Sequence, residues 1–233
     1  MTLKYRMLIL YVAVGTAILA VVGGWLTARF RQQRLENLEQ EFANQLKLVD
    51  FSLTSFMAGV ESDVMALAEN ELVRTENDRD FTNFVNADEE AFVYNVGEQE
   101  QSIVDIFNTF RITHPYVNSV YMGRENGSFV RSHRRAQPSQ YDPRTRPWYI
   151  LAKENPGKGV RTAPYQSVTT LDVNIGVVTA LVDDNGDTYG VVGVDVTLVN
   201  LAEYLSGFEF SHQGHILLTD AAGTVLVSEK AGF

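Results

Sequence analysis

Residues 174–196, NIGVVTALVDDNGDTYGVVGVDV, are two β-branched runs separated by a cluster of turn residues. Valine and isoleucine suit an extended chain, and Asp183-Asp184-Asn185-Gly186-Asp187 between them supplies the positive φ that a tight reversal needs. The stretch therefore predicts an antiparallel hairpin, and its neighbours extend the pattern. A strand-rich run starts near Val160. Val117 to Met122 and Ser128 to Arg131 read as two more strands around Arg124-Glu125-Asn126-Gly127, and Ile216 to Thr219 with Val225 to Ser228 as another hairpin. A short helix is expected through Trp148, Tyr149 and Ala152, and another over about 198–205.

Upstream the period changes from two to about 3.6. Leu35, Leu38, Phe42, Leu46, Val49, Leu53, Phe56, Val60, Val64 and Leu67 recur in steps of three and four, which predicts one helix with an apolar stripe. Unbroken from Arg31 to Leu67 it would be a rod of about 55 Å at a rise of ~1.5 Å per residue. Its upper half is expected to pack on its own domain, and its lower half on a second copy in a homodimer. A further helix is expected from Ala87 to Thr113, ended by His114-Pro115. The fold class is α+β: a long helix, an antiparallel-sheet module, and the first hairpin of a second one.

Residues 7–28 carry no charge and are flanked by Lys4 and Arg6 on one side and Arg29, Arg31 and Arg34 on the other. That is long enough to cross a bilayer, longer than the ~7–15 apolar residues of a cleaved signal, and it runs on through Trp25 and Leu26 into a basic helix, so an uncleaved anchor is expected. The boundaries that follow are 1–6 before the anchor, 7–28 transmembrane, 29–70 stalk, 71–206 a first sheet-based module and 207–233 the start of an incomplete second module. A lone hairpin cannot stand by itself, which is why the last segment reads as an opening rather than a domain.

The formal net charge of −10 argues against nucleic-acid binding, and the absence of cysteine removes thiol catalysis, thiolate metal sites and disulfides together. Asp183, Asp184, Asn185 and Asp187 lack the spacing of a calcium loop, and His212 and His215 lack a third ligand; no metal or cofactor is expected. A Ser nucleophile elbow, a phosphate-binding glycine loop and a zinc-protease helix motif are likewise missing, so the chain does not read as an enzyme. Against the acidic background, residues 124–161 carry nine basic side chains and three acidic ones. Within them Tyr141-Asp142-Pro143-Arg144-Thr145-Arg146-Pro147-Trp148-Tyr149 crowds two guanidinium groups and three aromatic rings into nine residues. Arginine forks match carboxylates, and Trp and Tyr can wall a pocket while offering a donor.

The anchor with its long helix, the DPRTRPWY string at 142–149, GVVGVDVTL at 190–198 and GHILLTDAAGTVLVS at 214–228 together resemble the double Cache family of extracytoplasmic sensor domains. Such domains stand on chemoreceptors, histidine kinases and cyclic-nucleotide enzymes. The resemblance implies a plasma-membrane protein with its sensor outside, binding a small molecule such as an amino acid, amine or organic acid in the membrane-distal module. In the amino-acid-binding branch, Tyr, four residues, Arg, one residue and Trp-Tyr are followed some 45 residues later by Asp. Tyr141, Arg146, Trp148, Tyr149 and Asp195 fall in that pattern. By resemblance Arg146 and Trp148 would hold the ligand carboxylate, and Asp195, Tyr149 and Tyr165 its amine. Many relatives carry an Asp where this chain has Ser167. A non-catalytic dimerisation or interaction module is the alternative.

Overall fold

The computed structural model describes residues 3–88, 90–134, 140–167, 172–207, 216–220 and 222–228. Helix α1 covers Leu3–Ala68, and the chain divides into two compact units, Met1–Ser52 and Leu53–Phe233.

The first unit is helical. Leu8, Ile18, Val21 and Trp25 are exposed, and the N-terminal part of α1 is long and apolar enough to cross a membrane. Its two threonines in this stretch are satisfied internally. Thr16 Oγ1 donates to the Val12 carbonyl at 3.0 Å and Thr27 Oγ1 to the Gly23 carbonyl at 2.8 Å, the arrangement that lets threonine sit in an apolar helix.

The second unit is built on an antiparallel sheet. Its members in chain order are β1 (Val117–Arg124), β2 (Phe129–Arg131), β3 (Val160–Arg161), β4 (Tyr165–Gln166), β5 (Val173–Val182) and β6 (Thr188–Thr197). They lie in the order β2-β1-β6-β5-β3, with β4 also pairing along β5. The hairpin at the centre is the one read from 174–196. Gly186 takes φ +88° in its turn, and Asp183 Oδ1 accepts from the backbone N–H groups of Asn185 and Asp187 at 2.9 and 2.8 Å. The aspartate serves the turn itself. Gly127, at φ +86°, does the same work between β1 and β2.

Both sheet faces are covered, which explains why the strands are so nearly all apolar. On one face Val120, Met122, Val192, Val194 and Val177 meet Met57, Val60, Val64 and Leu67 of α1 and Ile103 and Phe107 of α2 (Glu98–Thr113). The α1 residues follow the three-four spacing seen in the sequence, so the upper stripe packs inward as expected. On the other face lie a 3₁₀ turn (Pro143–Thr145), α3 (Pro147–Glu154) and the aromatic residues Phe84, Phe92 and Tyr94. Helix α4 (Leu198–Ser206) follows β6, with Thr197 Oγ1 accepting from the Asn200 N–H at its start. Among the described residues, the strands β7 (Leu217–Thr219) and β8 (Val225–Ser228) pair only with each other.

One expected element is shorter than its pattern. The helix expected from Ala87 begins at Glu98, with Gly97 as its N-cap in an extended conformation. Before it the chain turns at Asp88, whose Oδ1 accepts from the Glu90 N–H, and then lays Phe92 and Tyr94 against Phe84 at ring separations of 5.1 and 5.9 Å. Aromatic residues gathered over one sheet face thus imitate a helical stripe.

Glycine at 123 is required by packing rather than by φ. A Cβ there would stand 2.7 Å from Pro143 Cβ and 3.0 Å from Trp148 Cη2, so the segment that carries DPRTRPWY can lie flat on β1 only over a residue without a side chain. Gly123→Ala is expected to destabilise the protein by about 1–3 kcal/mol, the usual cost of overpacking, read as a lower midpoint of thermal unfolding.

A cavity with fixed charges of both signs

Directly opposed residues of antiparallel strands share a face, so the ladder dictates which side chains meet. Ser119 of β1 pairs with Asp195 of β6, Asp195 with Gly176 of β5, and Tyr121 of β1 with Arg131 of β2. All of these lie on the face that carries α3. Of these, Ser119, Tyr121, Arg131 and Asp195 line, together with Tyr141, Arg146, Trp148 and Tyr165, a cavity of about 150 Å³. It has room for roughly ten water-sized spheres, hence for a molecule of amino-acid size.

The acidic pole is Asp195. Its Oδ1 accepts from Tyr165 Oη at 2.5 Å and from Tyr121 Oη at 2.9 Å, and Asn174 Nδ2 stands 3.4 Å from Oδ2. Burial raises its pKa to about 6, although both tyrosine hydroxyls and the charge of Arg131 act to lower it. Desolvation outweighs them. The same burial, with the neighbouring carboxylate, pushes the Tyr165 and Tyr121 hydroxyls upward, so both remain donors at any physiological pH.

The basic pole is Arg146. It is the N-cap residue of α3, fixed by the turn before it: Asp142 caps the 3₁₀ segment and the Arg146 N–H donates to the Pro143 carbonyl at 3.0 Å. Its guanidinium carbon lies 4.5 Å from the centre of the Tyr141 ring, a cation–π stack that holds the plane in place. Among the described residues its buried Nε has no hydrogen-bond partner. A buried donor of a cavity-lining residue, with no acceptor among the described residues, is able to take one from a bound molecule.

The residue sequence of this face matches a known pattern. A family model described as the methyl-accepting chemotaxis protein-like, first PDC sensor domain matches residues 75–203, more than half of the 233-residue chain. The chain belongs to this family. As a chemotaxis-protein-type sensor domain it is 45% identical over 109 residues to the methyl-accepting chemotaxis protein McpA of Pseudomonas putida, a match covering 46% of this chain and 17% of that protein. It is 30% identical over 118 residues to McpB of Bacillus subtilis, covering 50% of this chain and 17% of that protein. The matched stretch is thus about a sixth of the length of either relative. Among solved structures, the ligand-binding domain of the Pseudomonas fluorescens chemoreceptor CtaA in complex with L-serine superposes with a TM-score of 0.61 at 23% identity, over 82% of this chain and 72% of that one. That of the Campylobacter jejuni chemoreceptor Tlp3 in complex with 4-methylisoleucine gives 0.60 at 19%, over 80% and 68%. At these identities the likeness establishes the sensor-domain fold.

Of the six positions singled out in the sequence, Tyr141, Arg146, Trp148, Tyr165 and Asp195 line the cavity of this sensor domain. Tyr149 does not. Consecutive helical residues point about 100° apart, so with Trp148 turned into the cavity Tyr149 faces away, and its hydroxyl donates to Glu125 Oε1 at 3.0 Å beside Lys153. Tyr149, expected beside the ligand amine, is thus placed outside the cavity lining. Arg144, the other guanidinium of the aromatic string, is bonded to Asp142 through Nε and Nη2, each at 2.8 Å. With Lys153–Glu125 and Arg161–Glu61 it shows that part of the basic segment is neutralised locally. The residues not foreseen are Tyr121, Arg131, Ser119 and Phe129. Strand alternation could have found them, since Tyr121 and Ser119 are two apart on β1 and Arg131 and Phe129 two apart on β2. His212 and His215 lie outside the described residues.

Proposed function

We propose that this chain is the anchored sensing part of a bacterial chemoreceptor that binds a free amino acid in its membrane-distal module. In this reading residues 7–28 cross the plasma membrane, the 71–206 module stands outside, 207–233 open a membrane-proximal module, and a homodimer forms through the lower α1 stripe. The carboxylate of the ligand lies on Arg146 beside Trp148, and its ammonium group faces Asp195. The observation that carries this is the placement of opposite fixed charges on one cavity, with a buried Arg146 N–H left over for an acceptor. L-serine and 4-methylisoleucine bound to CtaA and Tlp3 support the same ligand class here. Binding would act on signalling by favouring one arrangement of the module over another, and only by as much as the two differ in affinity.

The test is calorimetric titration of the full chain, held in lipid nanodiscs, with the common L-amino acids, simple amines and organic acids. A saturable one-to-one isotherm for at least one amino acid is expected. No response to any amino acid, with a dimer that persists, would leave an interaction module instead.

A further inference from the structure

Asp195 does not stand alone in the sheet. It lies directly opposite Ser119 of β1 on one side and Gly176 of β5 on the other. Tyr121, two residues along β1 from Ser119, brings its hydroxyl to the same Oδ1 that Tyr165 of β4 engages. Gly176 is what lets the two rings converge there. A Cβ at that position would stand 3.1 Å from Tyr121 Oη and 3.3 Å from Tyr165 Cε1, tighter than such contacts ordinarily are, so the floor beneath the hydroxyls has to be bare.

The two tyrosines are not held equally. Tyr165 is partly exposed, on a strand of two residues. Tyr121 is buried in the middle of β1, paired with Arg131 of β2 on one side and Gly193 of β6 on the other, and its ring centre lies 4.8 Å from that of Trp148 and 6.2 Å from that of Phe129. A donor fixed on every side dictates the direction of its hydrogen bond, so the carboxylate turns to suit Tyr121 and not the reverse. The groups that face Asp195 are these two hydroxyls, the Asn174 amide and the guanidinium of Arg131, with Arg146 on the same cavity. Burial favours the neutral acid; Tyr165, Tyr121 and Arg131 each favour the anion.

We propose that Tyr121 is a positioning residue for ligand binding, which acts through Asp195 by aiming its carboxylate and keeping it anionic for the ligand amine. The proposal rests on the amino-acid reading above. A phenol O–H bonds a carboxylate more strongly than it bonds a carboxylic acid, so removing it favours the protonated form, which cannot balance an ammonium ion.

Tyr121→Phe deletes the hydroxyl and keeps the ring against Trp148. The common L-amino acids are titrated from pH 5 to 8 into the parent and variant chains in nanodiscs, and thermal unfolding of both without ligand is followed from pH 4 to 8. In the parent, affinity begins to fall near the Asp195 pKa of about 6. In Tyr121→Phe that point is expected to rise by about half a pH unit or more, so that the loss of affinity relative to the parent is greatest near pH 6 and shrinks toward pH 8. The ligand-free variant should likewise go on losing stability to a correspondingly higher pH than the parent does. Fluorotyrosine incorporated at position 121 alone is nearly isosteric and has a more acidic hydroxyl, and it should move both profiles to lower pH. Should Tyr121→Phe fail to fold, the fluorotyrosine profiles decide the matter. An affinity lowered by the same factor at every pH, or profiles that stay where the parent's are, overturns the proposal and spares the amino-acid reading. If no amino acid binds the parent, both fall together.

Discussion

Arg146→Ala is expected to weaken amino-acid binding by a factor of about 30 to several thousand, with the folded state intact. Truncating one member of a buried, hydrogen-bonded charge pair costs about 2–5 kcal/mol of binding, because the partner charge is left desolvated and unmatched. The fold should tolerate the change. What Arg146 contributes to local structure runs through its main chain: its N–H donates to Pro143 and its carbonyl accepts from the Tyr149 and Ile150 N–H groups at 3.0 and 3.1 Å. Alanine keeps all three. The side chain supplies no helix-capping bond, and its Nε lacks a partner among the described residues, so only the stack on Tyr141 is lost. Thermal unfolding without ligand should therefore stay close to wild type while the ligand-induced rise in the midpoint disappears. A variant that binds as well as the parent would remove Arg146 from the carboxylate clamp. Arg146→Lys should recover a fraction of the affinity, since an ammonium keeps the charge and loses the planar fork.

The legibility of this site in the sequence divides along the secondary structure. The hairpin of β5 and β6 could be read because β-branched residues on both sides of DDNGD leave few other conformations. The inward upper half of α1 could be read because Val60, Val64 and Leu67 keep the helical step. The DPRTRPWY segment was visible because proline, arginine and aromatics at that density need a special environment. Which of its side chains enter the cavity was not visible. Trp148 and Arg146 do, while Tyr149 and Arg144 turn to Glu125 and Asp142, and only the start point of α3 decides between them. Arg131 and Tyr121 were hidden for a different reason. Tyr121 sits inside an apolar strand and Arg131 at the end of one, and the role of each depends on cross-strand register, Tyr121 opposite Arg131 and Ser119 opposite Asp195, which is a long-range property. The false start of α2 at Ala87 has the same origin: Phe84, Phe92 and Tyr94 are drawn together by the sheet face they cover, not by a shared helix.

Asp195→Asn is the substitution expected to move stability and binding in opposite directions. Burial raises the carboxyl to about 6 from its ordinary 3.8, so the folded protein holds this proton more tightly than the unfolded chain does. The sign follows from that difference. Below about pH 4 both states are protonated and the residue costs nothing. Between about 4 and 6 the unfolded chain ionises while the folded one does not, and stability falls as pH rises. Above about 6 the penalty is constant, at about 3 kcal/mol. Asparagine carries no such penalty and can still accept from Tyr121 and Tyr165. The ligand-free variant should accordingly unfold at a higher temperature than the parent at pH 7.5, by an amount that shrinks toward zero as the pH is lowered from 6 to 4. Amino-acid binding should nevertheless be lost, because an amide cannot balance an ammonium ion. In the parent the same ionisation governs affinity. The ammonium group needs the carboxylate form, and the hydroxyls around it do not titrate in this range, so affinity should fall by up to tenfold per pH unit below about 6. Titrations near pH 5.5 in buffers of different ionisation enthalpy should show net proton release on binding. An affinity that stays level from pH 5 to 8, together with an Asp195→Asn variant that still binds, would mean that the ammonium group sits elsewhere.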